Sequence, residues 1–405
     1  MSSPIRRQET DQDSLFFKRI YREELKWYLR VREECELRER EPRRIFTIGS
    51  LRFKILKGVF LSLLTHSWHR IENTWIFIQF ELGLNTQQPI IMVNGSLSSV
   101  IAGYSLQELD GLYYLFHHKG VFSKDVRRLL ISLLMKWLRR NLPYLMKNII
   151  FVREDYFGKR SMIVTISKFC PLKVIAIQHG LLLHSYLSVT KIYPNFRARV
   201  EAVYDDQYAQ YIRRIKPIGS VVYELGPAVD CGANLISERS EGCTRTIIFI
   251  SSDNLSNSND IQTIRRLSKI ACEIGYDFLV RPHPLERGLA KQKMLSGLKI
   301  DSGSKDNLLT RDVSKVILIG FYSTLLYEGG NLGFRTIWMV SDQDPKSELM
   351  VPEIEGLPNA QITHTSELSI EWFLDLLSQP LYPVSPRPLY PRITRMISEI
   401  FPRSA

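Results

Sequence analysis

Short continuous apolar runs alternate along this chain with longer stretches whose apolar residues recur at helical spacing. The short runs predict strands over 44–49, 75–80, 89–93, 147–152, 174–177, 200–204 and 220–223. A second series follows over 246–250, 278–281, 317–320 and 336–340. Between them, helical periodicity covers 51–64, 126–138, 261–274 and 366–377. Strands that are apolar throughout and separated by helices pair in parallel through crossover units, so the fold class is α/β with parallel sheets.

The pattern also divides the chain. A charged helical extension occupies 1–44, a first α/β half 45–230, and a polar linker rich in Gly and Ser 231–244. A second α/β half spans 245–378 and a proline-rich tail 379–405, of which 379–392 is expected to run over the surface. Two stretches admit two readings. Within 15–44, Phe17, Ile20, Tyr21, Tyr28 and Val31 lie near one stripe, interleaved with Lys18, Arg19, Arg22 and Lys26. Within 126–138, an apolar stripe is flanked by Arg127, Arg128, Lys136, Arg139 and Arg140. Such stripes pack on a core or lie on an anionic membrane surface, and the first also suits a partner-binding helix.

Chemistry concentrates at strand ends. Leu279-Val280-Arg281-Pro282-His283-Pro284 is an apolar run closed by a cation and an imidazole, and the prolines stop the strand there. Ile317-Leu318-Ile319-Gly320-Phe321-Tyr322-Ser323-Thr324 leads into a helix carrying Glu328. Open α/β sheets bind ligands at the carboxyl ends of their strands, and a helix that starts with hydroxyl residues offers N–H groups to a phosphate. The two strings predict an anion site. In the first half, the strand over 174–177 ends in Gln178-His179-Gly180.

Composition narrows the partner without choosing it. At 405 residues two domains are expected. An excess of 54 Lys and Arg over 42 Asp and Glu, +12 in all, suits an anionic partner: nucleic acid, a membrane face or a phosphorylated substrate. No nucleic-acid motif, dinucleotide GxGxxG or Walker loop is present. The five cysteines form no CxxC pair, which fits a reducing compartment. Residues 1–14 lack the apolar core of a signal peptide, and no apolar run reaches the ~18 residues of a span. The expectation is a cytoplasmic protein, bound to a membrane at most peripherally on its inner face.

The strings Ile177-Gln178-His179-Gly180, Arg281-Pro282-His283-Pro284 and Tyr322-Ser323-Thr324 with Glu328 resemble GT-B transferases of bacterial surface polysaccharides. The similar groups are the teichoic-acid glycerophosphotransferases, polysialyltransferase-like enzymes and capsule-type glycosyltransferases. The Gly226-Pro227 turn before the polar linker is also similar, and the resemblance covers roughly 174–340. It implies two Rossmann-type domains facing across a cleft, and a nucleotide-sugar donor bound by the second. It implies a glycan or lipid-linked glycan acceptor and no metal or other cofactor.

On this resemblance His283, Ser323 and Thr324 hold the donor phosphates with help from Arg281, and Glu328 meets a ribose. His179 is the general base, with Gln178, Gly180, Gly320 and Tyr322 in support. Retaining members carry a glutamate pair, but Gly320 and Thr336 stand at the positions flanking Glu328, which favours an inverting reaction. The acidic base motif of polysialyltransferase-like enzymes is absent from the first half. Transfer of a polyol phosphate from a CDP-polyol is the nearest alternative, followed by a nucleotide-sugar epimerase and a basic nucleic-acid-binding protein. Asp342-Gln343-Asp344 matches a metal-binding DxD in form, yet it sits beside Pro345 in what reads as a solvated loop.

Overall fold

A computed structural model describes residues 15–16, 18–26, 48–63, 75–78, 91–93, 107–153, 159–178, 198–204, 206–215, 220–226, 245–251, 258–282, 296–303, 308–309, 311–321, 323–342, 357–384 and 389–401. These form two compact units, with described residues up to Glu224 in the first and those from Leu225 onward in the second.

The first unit contains α1 (Ile48–Leu63), β1 (Trp75–Ile78), β2 (Ile91–Val93), α2 (Gln107–His117), α3 (Lys124–Lys147) and β3 (Ile149–Arg153). It continues with α4 (Lys159–Ser167), β4 (Lys173–Ile177), β5 (Val200–Val203), α5 (Asp206–Ile215) and β6 (Val221–Glu224). The strands pair in parallel throughout, in the order β2-β1-β3-β4-β5-β6. Ile150, Val152, Val174 and Ala176 belong to one core with residues of α1, α2 and α3, while Phe151, Ile175 and Ile177 are also buried. Both faces of the central strands are covered, which is why their sequences are apolar without alternation.

Both ambiguous stripes pack on the unit through part of their described residues. In α3, Leu130, Leu134, Trp137 and Leu138 are buried, and the Arg127 Nε donates to Leu115 O at 2.7 Å. Of the N-terminal extension, residues 15–16 and 18–26 are described and helical. Ile20 is fully buried there, and the Tyr21 ring meets Phe116 edge-on at 5.2 Å. The buried Glu24 carboxylate accepts from the hydroxyls of Ser161 and Thr165, one turn apart on α4. A buried charge held by two hydroxyls fixes the helix to the unit more specifically than apolar contact alone.

One predicted strand is corrected. Ile48 and Gly49 begin α1, and 44–47 lie outside the described residues. Leu51, Ile55, Gly58 and Val59 line one buried side of that helix, so helical period outweighs the short apolar run preceding it.

The second unit holds β7 (Thr246–Ile250), α6 (Ser258–Glu273), β8 (Asp277–Arg281), β9 (Val316–Gly320) and α7 (Thr324–Asn331). β10 (Arg335–Val340), β11 (Ala360–His364), α8 (Ile370–Ser378) and α9 (Leu389–Ile400) complete it. The order β11-β10-β9-β7-β8 is also parallel throughout. From β7 the chain goes to β8 on one side, then returns to β9 on the other. The strand order therefore reverses between β7 and β9, and a crevice opens at such a point outside the carboxyl ends.

Where it is described, the tail keeps the expected surface course over 379–384, with Tyr382 59% exposed. Asn359 Oδ1 accepts from Tyr382 N at 2.8 Å and its Nδ2 donates to Tyr382 O at 3.0 Å, fastening the segment to the unit. Helix α9 then buries Ile393 and Met396. Pro391 is compatible with it because a first-turn residue needs no intrahelical N–H bond. The Arg392 Nη1 donates to Leu225 O at 2.6 Å, within the same unit.

Candidate functional site

The reversal point of the second sheet is built by close backbone approach. At Gly320, the last residue of β9, an added Cβ would lie 2.5 Å from Ile250 O at the end of β7 and 3.3 Å from Leu326 Cδ1. A backbone oxygen in a central strand cannot move aside, so glycine is required where the two strand ends and the following helix converge. Gly329 and Gly330 serve the other end of α7. Added Cβ atoms there would crowd Leu318 and Leu357, so their absence lets the helix lie close on the sheet.

Ser323 is the N-cap of α7 in extended conformation, and its Oγ accepts from Leu325 N at 3.2 Å. The Leu326 N–H bonds to Ser323 O at 3.1 Å. These two bonds leave the Thr324 N–H at the helix start, where the helix dipole favours negative charge. Ser323 and Thr324 are half-buried and thus partly open to solvent. Glu328 is 5 % exposed, buried with Leu326 and Tyr327 in the body of the unit, and offers little carboxylate surface to a ribose.

At the end of β8, the Arg281 Nη1 is 2.8 Å from Asp301 Oδ2, and the Arg311 Nη2 is 3.2 Å from Asp301 Oδ1. Asp301 is itself buried and anchored beside β8 by its N–H bond to Val280 O at 2.8 Å. Two guanidiniums share one carboxylate, so the cluster keeps one net positive charge. Arg281 is thereby oriented by Asp301. Arg311 and Asp301 escape sequence reasoning because each lies outside the strand-end strings and is joined to Arg281 only by the fold. The Ser251 N–H donates to Arg281 O at 3.0 Å and ties the ends of β7 and β8 together.

In the first unit Gln178 follows β4, buried, with its Oε1 accepting from Tyr204 N at 2.9 Å and its N–H donating to Ala202 O at 2.8 Å. It braces the ends of β4 and β5. His179, Gly180, His283 and Tyr322 lie outside the described residues.

The acidic loop after β10 has a structural account. Asp342 accepts from Thr365 Oγ at 2.6 Å, Ser366 N at 2.7 Å and Ser366 Oγ at 3.1 Å, with His364 Nδ1 at 3.3 Å. Chiefly the Thr365 bond, then those from Ser366 and the His364 charge, hold its carboxyl down at about 2 against an ordinary 3.8. Among the described residues no group of three or more His, Cys, Asp or Glu side chains gathers as metal ligands.

A carboxyl whose folded pKa is depressed stabilises the fold fully above its unfolded value and loses that contribution as pH falls towards the folded one. Asp342→Asn is therefore expected to lower the melting temperature at neutral pH, with the difference closing between about pH 4 and 2. Melting curves across that range check it. A difference that persists undiminished at pH 2 contradicts the assignment.

Fold and site together define an α/β protein of two parallel-sheet units, the second with a strand-order reversal and a Ser-capped helix start at its strand ends. No family model matches the chain, and no curated protein matches it. Among solved structures it is similar to the glycotransferase of kitacinnamycin, at 9% identity and a TM-score of 0.37 over 69% of this chain and 80% of the other. It is similar to Methanocaldococcus jannaschii UDP-GlcNAc 2-epimerase in complex with UDP-GlcNAc and UDP, at 12% and 0.42 over 62% and 75%. It is also similar to Arabidopsis thaliana UGT89C1 complexed with UDP, at 10% and 0.40 over 75% and 80%. These values are low, and what each of those proteins binds or transfers is a property of that protein.

Proposed function

We propose that the protein is an inverting, metal-independent glycosyltransferase of the GT-B type that takes a nucleotide-sugar donor and extends a cell-surface polysaccharide or glycolipid. The observation that supports it most is the reversal point between β7 and β9, where Gly320 admits a close backbone approach and Ser323 opens a helix onto the crevice. An α/β sheet places ligands there, and the helix start suits a diphosphate.

In this reading His283, with the N–H groups at Ser323 and Thr324, binds the donor diphosphate, and Arg281, held by Asp301, adds positive charge beside it. His179 removes the proton from the acceptor hydroxyl. The acceptor oxygen then bonds to the anomeric carbon as the bond from that carbon to the phosphate oxygen breaks, with inversion. The nucleoside diphosphate departs carrying the negative charge, which the helix start and the imidazole stabilise.

A panel of CMP, CDP, UDP, GDP and dTDP in thermal melts tests the reading. One nucleotide is expected to raise the melting temperature in a saturable way, because it binds only the folded state. Incubation of its sugar conjugate with acceptor is then expected to release nucleotide and lengthen the glycan. Release of glycerol or ribitol phosphate from a CDP-polyol would assign polyol phosphate transfer instead. Conversion of the sugar without acceptor would assign an epimerase. No shift with any nucleotide removes the donor site altogether.

A further inference from the structure

Helix α1 is apolar on two sides. Its buried side meets the core through Leu51, Ile55 and Val59. Its outer side carries Phe53 (67% exposed), Leu56 (48%), Phe60 (62%) and Leu63 (57%). The outer residues recur three and four positions apart, so they form one continuous stripe along the helix. Isolated apolar residues on a surface need no explanation, but four large ones aligned on one helix face mark a contact site.

The charge around the stripe selects the occupant. Helix α1 contains Arg52, Lys54 and Lys57 and no Asp or Glu. At 100° per residue, Arg52 and Lys57 fall on opposite flanks of the apolar stripe. Arg52 is positioned by its Nε bond to Val121 O at 3.1 Å and lies 5.9 Å from the Phe122 ring centroid. The Lys54 Nζ stands 5.1 Å from the Tyr114 ring centroid. Helix α3, packed against α1, itself carries exposed Val126 and Leu129. Two copies of such a face would bring like charges together, whereas an anionic bilayer offers acyl chains to the stripe and headgroups to its flanks.

We infer that the outer face of α1 docks the protein on an anionic lipid surface, with Phe53, Leu56, Phe60 and Leu63 entering the headgroup–acyl boundary. No helix among the described residues is long and apolar enough to cross a membrane, so the contact is interfacial. The sequence points elsewhere for such a contact, to the stripes of the N-terminal extension and of α3. The fold buries Ile20 of the former and most of the latter, and leaves α1 facing outward. This inference does not depend on the donor site.

The test is flotation of the full chain with vesicles of phosphatidylcholine alone or mixed with phosphatidylglycerol. Wild type is expected to float with the mixed vesicles at low salt, and to be released at high salt. The double variant Phe53→Glu/Phe60→Glu is expected to lose at least about tenfold in partitioning, because two carboxylates replace buried apolar area. Lys57→Gln is expected to lose about fivefold, the usual scale for one juxtamembrane charge. Both variants change exposed side chains and are expected to keep the melting temperature and the nucleotide response of wild type. Failure of wild type to float, equal flotation on neutral vesicles, or flotation of the double variant at wild-type level each overturns the inference. A wild-type dimer that the double variant splits, seen by light scattering, would assign the face to a second copy.

Discussion

His283→Ala is expected to cut the nucleotide-induced rise in melting temperature sharply while leaving the melting temperature of the free protein unchanged. The residue follows Arg281, the last residue of β8, by two positions, with Pro282 between them ending the strand. In the sequence it lies beyond the last residue of β8, so its loss is expected to leave the sheet's pairing intact. A hydrogen bond to a charged phosphate is worth about 1.5–3 kcal/mol, so its loss weakens binding roughly 10- to 100-fold. At a nucleotide concentration ~100 times the wild-type Kd, binding stabilises the protein by about 2.7 kcal/mol, which a 100-fold loss of affinity reduces to about 0.4 kcal/mol.

Ser323→Ala behaves differently. The Oγ of Ser323 is already occupied with Leu325 N, so its removal costs the cap about 1 kcal/mol of stability and shifts the free protein's melting temperature. The backbone N–H groups remain, so nucleotide affinity falls less than in His283→Ala. An unchanged nucleotide response in His283→Ala would remove that residue from the donor site. Complete loss of response in Ser323→Ala would give the hydroxyl a larger role than capping.

The contrast between those two variants follows from what strand ends and helix starts show in a sequence. The buried strands were legible because parallel strands covered on both faces are apolar throughout, as in Thr246–Ile250 and Val316–Gly320. Strand β11 was not, because its residues Gln361, Thr363 and His364 interrupt any apolar run at the edge of the sheet. Helix α9 was hidden by the prolines around it, since composition does not reveal that Pro391 falls in a first turn where it is harmless. Helix α1 was legible as a helix, but its two apolar sides give no sign of which one is buried.

The site shows the same division. Gly320 and Ser323 were legible because a glycine closing a strand and a hydroxyl opening a helix have local physical causes. The pairing of Arg281 and Arg311 on Asp301 was not, because it joins residues 20 and 10 positions apart through folding alone. The acidic string at Asp342 was legible only as a loop. Its actual partners, Thr365 and Ser366, come from the segment after β11, 23 and 24 positions away.

The reading of the reaction depends most on His179→Ala, which is expected to keep nucleotide binding and lose transfer by ~10²-fold or more. His179 follows Gln178, which is pinned between the ends of β4 and β5 by its bonds to Tyr204 N and Ala202 O. A brace at the preceding residue fixes where the chain leaves the sheet, and a base requires such a fixed origin. Neutral imidazole accepts a proton, and its ordinary pKa of ~6.5 leaves it largely neutral at physiological pH. In wild type the rate is therefore expected to fall on the acid side as the imidazole becomes protonated. In His179→Ala that acid limb is expected to disappear, because no group remains whose protonation stops the reaction. If His179 instead holds phosphate, the variant binds donor poorly and its residual rate keeps the wild-type pH profile. Donor affinity and single-turnover rate measured on the same variant separate the two, since loss of a base lowers the rate of bound donor and loss of a phosphate ligand lowers the amount bound.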